Sequence, residues 1–565
     1  MRGLTAGIAC FAGLCGPAFA ATPIPEGPNS LPSFIGKAAT PSPVFAPEPP
    51  RNPHMAPNGR SNIHNDAYMT DTYQRGGPLG QGVTRTSTFL SHECASLTFD
   101  SRDRIVAICV GVEAPLLQMF DPKTLDSLAS MVLPPRTGLS TGVFTDFSGG
   151  GYFYLDDADR VIAPTYTRHL YVIGETDGPG FELQHDYDLT SVVPQGDKII
   201  SALPDWSGRI WFASTAGVVG FVDPASGAVK SVDLKEPNGN SFAVDDSGGV
   251  YIVTDKALYR FDASPAGVVT TWREAYDNVG VKKPGQTQVG SGTTPTVMGS
   301  GYVAITDNAD PMNVVVYKRA AQVRASRLVC KVPVFAKGAS DTDQSLIATP
   351  RSIVTENNYG YANPAATQGG KGTTPGLERI DVDEKGCRKV WHSDEVAPSV
   401  VPKLSLANGI VYTYTKPPRA DGQDGWYLTA LDFATGRTLW KALAGEGLGY
   451  NNNYAPVTLG PDGSAYVGVL GGLVRLADAT PGTPPPATPK LRLNARRLRD
   501  GRLRLSIGGV DRRYARNVEY KAGEKRLGRS SKNPFRIVAR TRARHLQAFV
   551  TMTDGRRFTA TRTLE

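Results

Sequence analysis

Histidine, methionine, tryptophan and cysteine are scarce in this chain of 565 residues, at 7, 8, 6 and 6 copies. No C-x-x-C, C-x-x-C-H or H-E-x-x-H spacing occurs. That excludes ribbon-type zinc sites, c-type haem attachment and the helical zinc-peptidase arrangement. The phosphate-cradling G-x-x-x-x-G-K-[ST] loop and the dinucleotide-binding G-x-G-x-x-G turn are also missing. Beyond the first twenty residues no apolar run is long enough to span a bilayer.

Glycine and proline are abundant instead, at 61 and 43 residues, beside 40% hydrophobic content. Many turns around a well-supplied core suit an all-β chain, and the length calls for several domains or one large repeat. Residues 1–20 read as a signal peptide: Arg2, an apolar stretch from Leu4 to Phe19, and Ala18-Phe19-Ala20 as an A-x-A cleavage site. The expected location is therefore secreted or periplasmic. Cleavage removes Cys10 and Cys15 and leaves Cys94, Cys109, Cys330 and Cys387, an even number in an oxidising compartment.

Residues 21–60 are rich in Pro, Ser, Ala and Asn and read as an extended or disordered lead-in. Residues 479–489, with Pro484-Pro485-Pro486, read as a semi-rigid spacer. Between them, over 61–478, runs a repeat. Its clearest phrase is Ala430-Leu431-Asp432-Phe433-Ala434-Thr435-Gly436-Arg437-Thr438-Leu439-Trp440, with weaker copies at Phe221–Gly227, Phe261–Gly267 and Phe120–Pro122. In each, a strand ends on an apolar residue, Asp caps a tight turn, Gly takes the positive-φ position, and a new strand begins. Alternating strands such as Ile210-Trp211-Phe212-Ala213 and Val250-Tyr251-Ile252-Val253 precede these phrases. Units open near Cys94, Gly151, Ile199, Ser241, Thr294, Ser345, Pro402 and Tyr454. Their spacing predicts a β-propeller of about eight four-stranded blades. The last unit lacks a fourth strand, which the segment between 60 and 90 is expected to supply. Pairing Phe99 with Arg104 sets Cys94 opposite Cys109. Cys330 and Cys387 fall on the outer strands of consecutive blades, so both pairs are expected as disulfides.

Residues 490–565 hold 22 Lys and Arg against 6 Asp and Glu, while the rest of the chain holds 39 against 47. A basic tail domain on an acidic body points to an anionic envelope surface or polysaccharide as partner. No nucleic acid is expected for an exported chain.

The phrase ending in Trp440 resembles the repeat of quinoprotein-like, PQQ-binding propellers. That resemblance implies an all-β propeller and, in the catalytic members, quinone-dependent oxidoreduction. PQQ is not an expected cofactor here, because no vicinal Cys-Cys pair covers a quinone and only Trp272, Trp391 and Trp440 occupy the docking position. Glu93, and Asn240 before Ser241-Phe242-Ala243-Val244-Asp245, resemble the metal-binding residues of gluconolactonase and strictosidine-synthase-like propellers, which implies calcium. The tail, through Val518–Gly528 and Asn533-Pro534-Phe535, resembles bacterial immunoglobulin-like β-sandwich modules.

Chain direction adds a site expectation. In a blade the innermost strand starts, and the second strand ends, on the same face. Glu93, Asn240, Asp307, Asn308, Glu356 and Asn357 are thereby expected to gather at one mouth of the channel, where oxygen ligands suit Ca²⁺ or a hydroxylated ligand. His54 and His64, among Asn58, Asn62, Asn65 and Asp66, read as part of an N-terminal arm. The leading expectation is a propeller that binds a ligand or partner at that mouth. The alternatives are a calcium-assisted hydrolase of lactonase or esterase type, with Glu93 and Asn240 as ligands, and a quinone-dependent oxidoreductase. Sequence alone does not decide whether the protein is an enzyme.

Overall fold

The computed structural model describes residues 19–27, 30–136, 145–383, 385–480, 482 and 486–564. The expected signal peptide therefore lies almost wholly outside the described residues, as does much of the Pro-rich spacer. Among the described residues, eight antiparallel sheets form the blades of a propeller. Six are four-stranded and contiguous, over 93–132, 154–188, 199–233, 243–275, 296–333 and 347–393. The seventh, over 403–446, gains Phe34–Gly36 on its outer edge and Thr72–Tyr73 on its inner edge. The eighth, over 457–477, takes Thr84–Phe89 as its outermost strand, from Thr84 opposite Ala477 to Phe89 opposite Gly472. This is the closure the short last unit called for, and it leaves no unpaired edge where chain start and chain end meet.

The repeat phrases fold as their chemistry dictates. Asp432 Oδ1 accepts hydrogen bonds from Ala434 N (2.6 Å) and Thr435 N (3.1 Å), and Asp223 Oδ1 accepts from Ala225 N (2.9 Å). Gly436 sits at φ +73°, and a Cβ there would lie 2.6 Å from the Trp391 ring, whose Nε1 donates to Phe433 O (2.9 Å). That glycine lets one blade's Trp dock on the next. A second turn recurs between first and second strands. Asp205, for example, accepts from Ser207 N (2.8 Å), Arg209 Nε (2.7 Å) and Trp211 Nε1 (2.9 Å).

Both disulfides are present, Cys94–Cys109 and Cys330–Cys387. The first arises by a different register from the expected one. Phe99 pairs with Ile105, not Arg104, and a bulge between Glu93 and Ser96 restores Cys94 to its place opposite Cys109. The second joins the outer strands of blades five and six. Such cross-links fit an oxidising environment.

The largest departure from the sequence reading is the segment 52–75. It is not a free arm but a hub that makes one turn inside the ring and bonds to every blade. Arg60 Nη1 donates to Asp100 O (2.6 Å) in blade one, and Asn52 Nδ2 to Pro204 O (2.8 Å) in blade three. Leu155, Val244, Val297, Ala348 and Leu404 of blades two, four, five, six and seven donate their N–H groups to hub carbonyls at 2.7–3.0 Å. Arg75 Nη2 reaches Leu459 O (2.6 Å) in blade eight. The sequence allows this curl because its Asn and Asp residues turn the backbone. Asn65 and Asp71 adopt φ of +78° and +55°, and Asp66 Oδ1 accepts from Tyr68 N (2.9 Å).

The lead-in 21–60 is likewise extended but bound. Val44 N donates to Leu406 O (2.8 Å), which ties the segment to blade seven. The tail is a two-sheet β-sandwich of three and four strands over 492–563. Its core is not made by the tail alone: Phe45 of the lead-in inserts among Tyr514, Tyr520, Phe535 and Val550, with Phe558 edge-on at 5.6 Å.

Candidate functional site: the axial cavity

The hub bonds to the C-terminal ends of the innermost strands, so it closes the channel on the back face of the ring. On the front face, where those strands begin, a cavity of about 50 Å³ remains between the hub and the loops. It is lined by Ile63 and His64 of the hub, Glu93 and Ser96 of blade one, and Tyr152 ahead of blade two. Asp343 and Ser345 ahead of blade six and Asn453 and Tyr454 ahead of blade eight complete it.

His64 is the floor of this cavity. Its side chain is 3% exposed, and Nδ1 lies 3.1 Å from both oxygens of Asp71. Asp71 is fully buried and forms a close ion pair with Lys403 Nζ, which also bonds to Ile63 O. Burial lowers the Lys403 ammonium from its ordinary range, and Asp71 offsets part of that. A carboxylate accepts hydrogen bonds, so His64 Nδ1 is the donor in this contact and Nε2 lies on the far side of the ring from Asp71. Nε2 has no partner among the described residues. The Tyr152 ring stacks on the imidazole at 6.3 Å and 21° and fixes its plane.

Three carboxyl groups line the cavity, Glu93, Asp343 and Asp146; against the opposing effect of burial, Lys198 and Ser148 hold Asp146 below its ordinary range. Burial pushes Glu93 up to about 8, against the opposing pull of Asn453 and Arg136. Its Oε2 accepts from Asn453 Nδ2 (3.1 Å), whereas Oε1 has no partner. Burial likewise raises Asp343 to about 7. Asp343 Oδ2 accepts from Thr287 Oγ1 (2.6 Å), and its Oδ1 is unpartnered. At neutral pH Glu93 is therefore mostly a neutral O–H donor, and Asp343 is poised between its two forms. The roof is aromatic: Tyr454 packs edge-on against Phe147 (5.4 Å) and Tyr361 (5.3 Å), and Tyr361 Oη bonds Asn451 Oδ1 at 2.9 Å.

Of the six residues expected to converge at the mouth, only Glu93 lines this cavity. The others lie at strand ends and clamp loops. Asn240 Nδ2 donates to Ser291 O (2.9 Å), and Asn308 Nδ2 to Val281 O (3.0 Å). Asp307 accepts from Asn313 N (2.8 Å) and Nδ2 (2.7 Å). Asn357 Nδ2 donates to Ala339 O (3.0 Å), and Glu356 Oε1 accepts from Asn358 Nδ2 (3.0 Å). These side chains are instead taken up by hydrogen bonds to loops and to neighbouring residues beside their own strands. Among the described residues, no three His, Cys, Asp or Glu side chains group as a metal site.

The sequence reading missed His64, Asp71, Lys403 and Asp343 as a set. A signal was present: Lys403 is the one basic residue on any of the eight innermost strands. Such a lysine needs a buried anion. Gly138-Leu139-Ser140-Thr141-Gly142 also has the G-x-S-x-G spacing, which the sequence reading passed over. It lies outside the described residues.

No protein-family profile matches the chain. A protein of Archaeoglobus fulgidus, itself named only as uncharacterised, is 30% identical over 368 residues, covering 58% of this chain and 70% of the relative. The chain belongs to the family of that protein. Among solved structures, a europium-containing methanol dehydrogenase matches at a TM-score of 0.45 and 12% identity, over 73% of this chain and 89% of that one. The C-terminal WD40 domain of Sif2 matches at 0.45 and 10%, over 71% and 99%. A streptogramin B lyase matches at 0.35 and 9%, over 70% and 97%. Placing the chain in the Archaeoglobus fulgidus protein's family brings no activity with it, so function has to be argued from the cavity.

Proposed function

We propose that this is an exported propeller that binds a small, uncharged, hydroxyl-bearing molecule in its axial cavity. One observation carries the reading. Three buried polar atoms without partners among the described residues, His64 Nε2, Glu93 Oε1 and Asp343 Oδ1, belong to residues that line a single cavity. Their convergence on one space suits a polar occupant that can bond to several of them at once. The set offers a nitrogen lone pair that accepts from a hydroxyl and a carboxyl O–H that donates to one. A volume of about 50 Å³ equals a few water sites, the size of a three- or four-carbon polyol or the end group of a longer chain. An anion would meet carboxyls that must then stay protonated. A cation would have to bind where burial opposes charge.

Saturation-transfer NMR with glycerol, erythritol and their carboxylate analogues glycerate and erythronate tests this. Transfer to the polyols that disappears in His64→Leu and weakens in Glu93→Gln supports the reading. Equal transfer in all three proteins, or preference for the carboxylates, refutes it.

The same geometry favours a second reading, hydrolysis of a lactone or ester. Asp71 orients His64 so that Nε2 can take a proton from water, and the Glu93 carboxyl can return one to a leaving oxygen. Turnover of such a substrate by the wild type and not by His64→Leu would move the protein from binder to enzyme. Calcium assistance is separable, because only that version is abolished by chelation.

A further inference from the structure

A second, roomier cleft is not axial. It lies on the back face, where the strap 46–58 and the sandwich face the hub and blades five and six, and it encloses about 860 Å³. Five arginines line it: Arg51 on the strap, Arg319 and Arg351 on the propeller, and Arg513 and Arg556 on the sandwich. Two are already engaged. Arg319 pairs with Asp245 and Asp246, and Arg556 pairs with Asp554 (2.7 Å) while donating to Ala46 O (2.9 Å). Arg51, Arg351 and Arg513 form no ion pair among the described residues, and Glu48 is the one remaining carboxylate in the cleft. The guanidinium of Arg513 lies over the Tyr514 ring at 5.1 Å, which holds it at the cleft wall.

The cleft is a fixed feature rather than a gap between loose bodies. Phe45 is riveted into the sandwich core, with Arg556 over its ring at 4.6 Å, while Val44 is bonded to blade seven one residue earlier. The strap therefore spans both domains at the cleft's rim.

We propose that this cleft binds an acidic oligosaccharide. Three guanidinium groups without an ion pair among the described residues, from three separate parts of the chain, supply forks for carboxylates. Tyr302 and Pro350 give flat faces for sugar rings, and Thr553 gives a hydroxyl partner. An acidic peptide fits less well. Strand addition needs a free row of backbone N–H groups, and Pro47, Pro49 and Pro50 remove them from the exposed strap. The site also gives the basic tail a structural role, since the sandwich contributes one wall of it.

The test is calorimetric titration of the full chain with tetragalacturonate, maltotetraose and tetraglutamate, in low salt and at roughly 0.3 M NaCl. The decisive variant is Arg351→Ala. This residue belongs to the propeller, so a diffuse attraction to the basic sandwich does not involve it. Arg557→Ala, an equal charge change at an exposed sandwich residue that does not line the cleft, is the control. Tetragalacturonate should bind, maltotetraose should not, and Arg351→Ala should weaken binding about tenfold or more, against less than about twofold for Arg557→Ala. Thermal melts of both variants establish that they are folded. Equal losses in the two variants would place the sugar on the general basic surface and overturn the proposal. So would equal binding of the neutral sugar, tighter binding of tetraglutamate, or no binding of tetragalacturonate in low salt.

Discussion

Replacing Lys403 by methionine strands a carboxylate in the centre of the propeller. Lys403 and Asp71 are both fully buried, and their contact links blade seven to the hub. Without the ammonium, Asp71 keeps only the His64 N–H as a polar side-chain partner. Breaking one side of a buried pair costs about 3–5 kcal/mol, because the remaining charge is left uncompensated in low dielectric. Removing both charges, in Asp71→Asn with Lys403→Met, should cost less than Lys403→Met alone, giving a coupling of about 2 kcal/mol or more in a double-mutant cycle. Urea unfolding followed by tryptophan fluorescence measures the single and double variants. Additive single and double variants would refute the Lys403–Asp71 pair as the hub's anchor.

Glu93, raised to about 8 from 4.5, binds its proton more tightly in the folded state. Its contribution is complete below about pH 4.5 and is lost as the pH rises through 8. Glu93→Gln should therefore gain thermal stability relative to wild type at pH 8.5 compared with pH 5. Some decline should persist, since Asp66 and Asp343, both raised to about 7, act in the same direction. Cys330 and Cys387 close a loop with a separation of 57 residues, so Cys330→Ser with Cys387→Ser should destabilise by up to about 4 kcal/mol. Non-reducing peptide mapping should find this pair and Cys94–Cys109, with no crossed pairing. Phe45→Ala should open a hole in the sandwich core worth about 3–5 kcal/mol. An isolated 488–565 fragment should gain protection against hydrogen exchange when a 40–58 peptide is added, and indifference to that peptide would contradict the rivet.

The blades were legible because each repeats local chemistry. An Asp-capped turn, a positive-φ glycine and an alternating strand define a unit without reference to distant residues, and all eight unit starts fall at or within a few residues of the observed innermost strands. Closure by Thr84–Phe89 was legible for a similar reason, since a unit one strand short needs a donor. The hub was not. Residues 52–75 have neither apolar periodicity nor repeat phrasing, and their partners are backbone groups of eight different blades. Side-chain patterns do not encode such partners. Of the mouth residues, Glu93 lines the axial cavity and the other five bond to loops or to neighbours near their own strands, partners that residue type and chain direction do not specify. His64 became intelligible only through Asp71 and Lys403, the latter 339 positions away.

The central claim is that His64 presents an unprotonated Nε2 to an occupant of the axial cavity. Long-range proton–nitrogen correlation spectra of the ¹⁵N-histidine-labelled protein test it directly, with resonances assigned through His64→Leu and recorded before and after erythritol addition. The account predicts an Nδ1–H tautomer for His64 and an Nε2 signal that shifts as a hydroxyl donates to it, while the other imidazoles stay fixed. An Nε2–H tautomer, or an Nε2 signal that ignores the polyol at saturating concentration, would contradict it.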